Sequence, residues 1–271
     1  MAVIAQGIEA QNLQHLLYGT AGAKTLACTF RVRSPKTGTH YVGLTQLDTE
    51  RYYLRSYTVD VADTWETKTV TFPGDVSGVI NSDTGEGLRL FFALHGAGAN
   101  FGSGVADAWT AWPAGVIQYM ASDGVNVLDN AANNFYLAGV QLEVGSAATD
   151  FEHEDYGTTL VKCQRYFYRQ TDASLGARII TGFATSGTSS QYAFRYPVVM
   201  RSAPTLSFSA AADFSVAYDA TAVNVTALSL ALANTHSGRL TATATAGAAG
   251  DAVQLAFDGG GTRWFAFDAE L

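Results

Sequence analysis

Apolar and polar positions alternate along much of this chain with a period of two. From Lys24 to Arg33, Leu26, Cys28, Phe30 and Val32 share one side, while Thr25, Thr29, Arg31 and Arg33 share the other. This is the pattern of a strand buried on one face. Ser34-Pro-Lys-Thr-Gly38 then reads as a turn. Further strands fit His40 to Leu47, Arg51 to Val59, a strand opened by Asp63-Thr-Trp65 that runs through Thr67, Thr69, Val70 and Phe72, then Leu88 to Leu94 and Phe135 to Val144. After Phe72 the run Pro73-Gly74-Asp75 stops its strand, because proline lacks a donor and glycine frees the turn.

The second half keeps the period but changes composition. From about Thr171 it is rich in Ala, Thr, Ser and Gly. Tyr192, Phe194, Tyr196 and Val198 share one face, and Pro197 suggests an edge or a strand end. Short strands fit Thr205 to Phe208, Phe214 to Tyr218, Val223 to Thr226, Leu228 to Leu232, Leu240 to Ala246, Val253 to Phe257 and Trp264 to Phe267. Helical signals are few. Ala10 to Tyr18 suits a turn or two, and Thr158 to Arg165 suits one short helix capped by Thr158 or Thr159. No heptad pattern encodes a coiled-coil shaft. Many strands between turn-rich segments predict an all-β protein built from sandwiches.

Composition narrows the function classes. With 271 residues, 48% hydrophobic and 15% charged, the chain is long and apolar enough for two folded domains, and its composition argues against disorder. A net charge of −8 argues against non-specific nucleic-acid binding and against an anionic membrane surface. No apolar run is long enough to span a bilayer, and Met1 to Ala10 lacks the parts of a signal peptide. Cys28 and Cys163 make no disulfide framework, and a free cysteine ordinarily packs as a small apolar residue.

One segment carries more information than the rest: Gln141-Leu-Glu-Val-Gly-Ser-Ala-Ala-Thr-Asp150-Phe-Glu-His-Glu-Asp-Tyr156, followed by Cys163-Gln-Arg-Tyr-Phe-Tyr168-Arg. It resembles the module boundary of bacteriophage tail-fibre and other virion proteins. Ile4 to Leu16, Ala62 to Gly74 and the closing Trp264 to Leu271 resemble further segments of the same proteins. The resemblance implies a jelly-roll-like, carbohydrate-binding-module-like β-sandwich over residues 1–155 and a C-terminal β-sandwich module over 156–271. It implies a virion component made in the host cytoplasm, commonly homotrimeric, that contacts other virion proteins. Its function would be recognition of a host surface glycan, or alternatively structural decoration or connection within the particle. In longer relatives further strands precede the segment that matches Gln11 to Leu16, so the first sandwich is expected either to lack its opening strands and rely on a neighbour at its edge, or to be a compact sandwich with a short edge strand that needs none.

Catalytic chemistry finds little support. No Gly-x-Ser-x-Gly elbow is present, and the acids are mostly isolated in turns, whereas glycoside hydrolysis needs two facing carboxylates. The five histidines lack the spacing of a helix-borne zinc site. No metal or other cofactor is expected, except that Glu152-His153-Glu154-Asp155 reads either as a solvated linker or as a calcium site, and the resemblance keeps a structural calcium open. Binding is the better reading. Phe101, Trp109 and Trp112 lie on the long segment from His95 to Gln118, where aromatic rings suit sugar stacking. Alternatively the two tryptophans pack over an open end of the sandwich, which the average burial of large aromatics favours for Trp109. Trp65, at a strand start, reads as core, and Tyr52, Tyr53 and Tyr57 suit a concave face or an interface. Arg165, Tyr166, Tyr168 and Arg169 are candidates for module packing or an oligomer interface.

Overall fold

The structure, a computed structural model, describes residues 2–95, 107–112, 123–172, 176–219, 221–245, 247–258 and 261–270. It divides into two compact units, 1–153 and 154–270. Both are all-β and two-layered. Among the described residues no helix is long and apolar enough to cross a membrane.

The first unit stacks two antiparallel sheets. The larger runs in the order β1 (Ala2–Glu9), β6 (Glu86–His95), β3 (Gly38–Gln46), β4 (Arg51–Val59) and β7 (Thr110–Ala111). The smaller runs β5 (Glu66–Phe72), β2 (Leu26–Arg33) and β8 (Tyr136–Val144). Strand β2 behaves as its alternation demands. Cys28, Phe30 and Val32 point inward with no exposure, and the Phe30 ring meets Phe92 and Tyr57 edge-on, each at 4.9 Å. A fully buried ring of this kind contributes about 1.5–3 kcal/mol of transfer free energy. Burial also pushes the Cys28 thiol up to about 12, which keeps it an unreactive packing group. Tyr53 and Tyr57 belong to this core, whereas Tyr52 alternates to the other side of β4. Residues Ala2–Glu9, for which no strand is expected from the pattern, form the edge strand paired to β6. A 3-10 turn over Ala10–Leu16 follows it and buries Leu13 and Leu16.

The second unit repeats the plan with different sizes. A seven-stranded sheet has the order β14 (Thr221–Asn224), β13 (Phe214–Tyr218), β17 (Ala252–Phe257), β10 (Arg178–Ser186), β11 (Ser189–Arg195), β16 (Ser237–Thr243) and β15 (Ala227–Ala231). Facing it is a three-stranded sheet of β12 (Thr205–Phe208), β18 (Arg263–Asp268) and β9 (Phe167–Asp172). Phe194 of the large sheet meets Phe267 of the small one at 4.9 Å and Phe265 at 5.7 Å. Pro197 follows the end of β11, which is an interior strand, so its missing donor breaks no ladder. The one α-helix among the described residues, α1 (Tyr156–Gln164), is capped by Asp155 in place of Thr158 or Thr159. The carboxylate accepts from the Thr158 backbone N–H at 3.0 Å and from its hydroxyl at 2.5 Å. These bonds hold the Asp155 carboxyl below its ordinary range, as a negative group at a helix N-terminus should be.

Candidate functional site

The outward face of the small sheet in the first unit carries the candidate site. Alternation sends Thr29, Arg31 and Arg33 of β2 outward, and pairing sets Thr29 against Thr69 and Arg31 against Thr67 of β5. The Thr29 and Thr69 hydroxyls lie 2.9 Å apart, forming a polar floor. On the other side of β2, strand β8 bulges. Gly139 and Val140 together oppose Phe30, between the pairs Thr29–Gln141 and Arg31–Ala138. Gly139 has φ of +56°, a left-handed conformation that glycine adopts without a Cβ penalty. The bulge restores the alternation beyond it, so Gln141 and Glu143 face outward.

Those two side chains bind the chain that follows. Glu143 accepts from the Thr149 backbone N–H at 2.6 Å and from its hydroxyl at 2.7 Å. The Thr149 N–H, then its hydroxyl, lowers the Glu143 carboxyl below its usual range. Gln141 accepts from the Glu152 N–H at 2.8 Å and donates to Thr149 Oγ1 at 3.1 Å. The segment 145–153 is thereby pinned as a wall, and the groove between wall and floor encloses about 610 Å³. Phe151, 45% exposed, and His153 stand on that wall with their rings 5.1 Å apart.

Two more rings extend the face. Trp65 is 40% exposed and Tyr136 is 43% exposed, with 6.3 Å between their centroids. Arg31 lies over the Trp65 ring at 5.4 Å and Arg33 over the Tyr136 ring at 5.1 Å. The expectation that Trp65 is core is therefore corrected. It precedes β5 in a turn, with Asp63 at φ of +53°, so strand parity does not direct it inward. Glu66 holds that turn by accepting from the Val61 and Asp60 N–H groups at 2.7 and 2.9 Å, and from Lys68 at 2.6 Å. The Lys68 contact first, and these backbone donors with it, hold the Glu66 carboxyl down at about 2.

The residues singled out from sequence are dispersed. Trp109 is half-buried, edge-on to Tyr18 and Tyr53 at 5.7 Å each, and its indole donates to Pro73 O at 2.6 Å. Trp112 is half-buried beside β7, and its backbone N–H donates to Glu50 O at 2.7 Å. Phe101 lies outside the described residues. In the second unit, Tyr168 stacks on Phe267 at 6.5 Å, and Arg169 covers the Trp264 ring at 4.6 Å. Arg165 donates to Val199 O at 3.3 Å, while the Tyr166 N–H reaches Cys163 O at 3.0 Å. Among the described residues no three His, Cys, Asp or Glu side chains are grouped to hold a metal. Within Glu152–Asp155, Glu154 pairs with Lys162 and Asp155 caps α1.

Fold and site together define a two-unit, all-β protein with an open aromatic groove on one sheet face. It is similar to recombinant discoidin II of Dictyostelium discoideum, at 10% identity and a TM-score of 0.22, over 92% of this chain and 73% of that one. A likeness at that TM-score supports no argument about function. No protein-family model and no curated protein matches the chain.

Proposed function

We propose that this protein recognises a glycan on a host cell surface as a fibre-type component of a bacteriophage virion, by contact and without turnover. The observation that carries the binding role is the exposure of Phe151 on the wall of a threonine-floored groove, with Trp65 and Tyr136 exposed farther along the same sheet face under Arg31 and Arg33. Large rings left in water beside hydroxyl donors and acceptors suit a sugar, whose C–H face stacks on the ring while its hydroxyls bond the floor. The virion setting is supported by the resemblance of Gln141 to Tyr156 and of Cys163 to Arg169. A homotrimer fits that setting, and closed symmetry is the rule for homo-oligomers. The alternative is a purely structural decoration or connector. Exposed Phe183 and Leu232, both beside a depression on the seven-stranded sheet, favour a packing role for the second unit.

A glycan array probed with the full chain and with Trp65→Ala tests the reading. Binding that falls about tenfold or more in the variant, in line with loss of a stacked ring, is the expected result. Binding unchanged in Trp65→Ala, or no binding by the parent chain, would refute it.

A further inference from the structure

We infer that the groove selects anionic glycans, through Arg31 and Arg33 acting on a carboxylate or phosphate borne by the sugar. The inference rests on the glycan reading above and adds the ligand's charge.

Residues 1–153 hold eight lysines and arginines against fifteen acids. In so acidic a unit a basic side chain readily finds a carboxylate. Lys36, Arg51, Arg55, Lys68 and Arg89 each do. Lys24, Arg31 and Arg33 have no ion-pair partner among the described residues. Lys24 is exposed and lies outside the groove. The other two are neighbours on one face of β2, about 7 Å apart by strand geometry.

Neither arginine is loose. Each guanidinium lies over an aromatic ring, Trp65 or Tyr136, which lowers the entropy lost when it engages a ligand. Arg33 Nε is buried and has no hydrogen-bond partner among the described residues. Arg31 itself lines the groove. Asp150, the carboxylate on the opposite wall, forms no ion pair with it. Two ordered, uncompensated guanidinium groups beside exposed rings and hydroxyls fit an oxyanion carried on a saccharide. Such groups bind carboxylate and phosphate through paired N–H donors.

The test uses an array of bacterial surface polysaccharides, neutral and acidic. Each acidic member is present intact, after carboxyl reduction and after dephosphorylation. The parent chain is compared with the Arg31→Gln/Arg33→Gln double variant and with a Lys24→Gln control. The expected result is binding to acidic members that falls about tenfold or more on removing the relevant anion, in the double arginine variant, and on raising salt, but not in the control. The carboxyl-reduced and dephosphorylated arms tell which oxyanion is read. Arg31→Lys tests geometry: it retains charge without the planar donor fork and should recover only part of the loss. Binding that survives both treatments, or that is confined to neutral members, would overturn the charge selectivity while leaving glycan recognition intact. Binding to no member would overturn both.

Discussion

Asp75 offers a sharp test of how the first unit is held together. Its side chain is 1% exposed, accepts from Arg51 Nε at 2.5 Å, and accepts from the Ser77 N–H at 3.0 Å. Arg51 is itself only 19% exposed and also donates to Trp109 O at 3.1 Å. This pair thus joins the start of β4 to the turn after β5 and to the segment before β7. Asp75→Ala leaves the Arg51 cation and the Ser77 donor without their acceptor. Breaking a buried ion pair from one side costs about 3–5 kcal/mol. The partial exposure of Arg51 lets water take up some of the loss, which favours the lower end, about 3 kcal/mol. With a urea m-value of about 2 kcal/mol/M, the midpoint should fall by about 1.5 M. Tryptophan fluorescence is a suitable probe, because three of the four tryptophans, Trp65, Trp109 and Trp112, lie in this unit. Asp75→Asn, which keeps an acceptor for Ser77, should lose less than Asp75→Ala. A midpoint shift under about 0.5 M for Asp75→Ala would show that the pair is no keystone and that its desolvation offsets its attraction.

Two further outcomes concern the frame of the groove. Glu66 is held at about 2 in the folded protein, below its ordinary value of 4.5. A depressed carboxyl contributes stability that is fully present above about pH 4.5 and is lost as pH falls toward 2. Urea midpoints measured across that window should drop with acid in the parent chain and drop less steeply in Glu66→Gln; parallel curves would refute the assignment. Gly139→Ala meets no steric obstacle, its nearest neighbour being Phe151 at 3.8 Å, so any loss reports backbone strain at φ of +56°. About 1–2 kcal/mol of destabilisation is expected in the same unfolding assay, and a neutral substitution would mean that the bulge is not fixed as described.

Much of the fold is legible in the sequence where one face of a strand is buried. β2, β4, β12 and β13 follow from alternation or from short apolar runs between turns. β10 does not, because register shifts beside Ile180 and Ala184 break its parity on both partners. β1 is an edge strand with mixed exposure, so its apolar residues show no clean period. Asp75 reads from sequence only as part of a stop signal. Its burial depends on Arg51, twenty-four residues earlier, and no local pattern reveals a contact that distant.

The site was legible in part for the same reason. Parity alone points Thr29, Arg31 and Arg33 to the polar side of β2, but not to the rings that they meet. Those rings come from a turn before β5 and from the first residue of β8, and only the pairing of both strands to β2 brings them together. Residues 62–74 and 135–156 supply the frame. Gln141 and Glu143 clamp Thr149, and Glu66 fixes the turn bearing Trp65. Arg31 and Arg33 lie outside those segments. A protein that shares the clamp and the aromatic rim without the two arginines should therefore keep the groove and lose its preference for charge. The clamp and the rings set how the groove is built, and the arginine pair on β2 sets the charge of what would enter it.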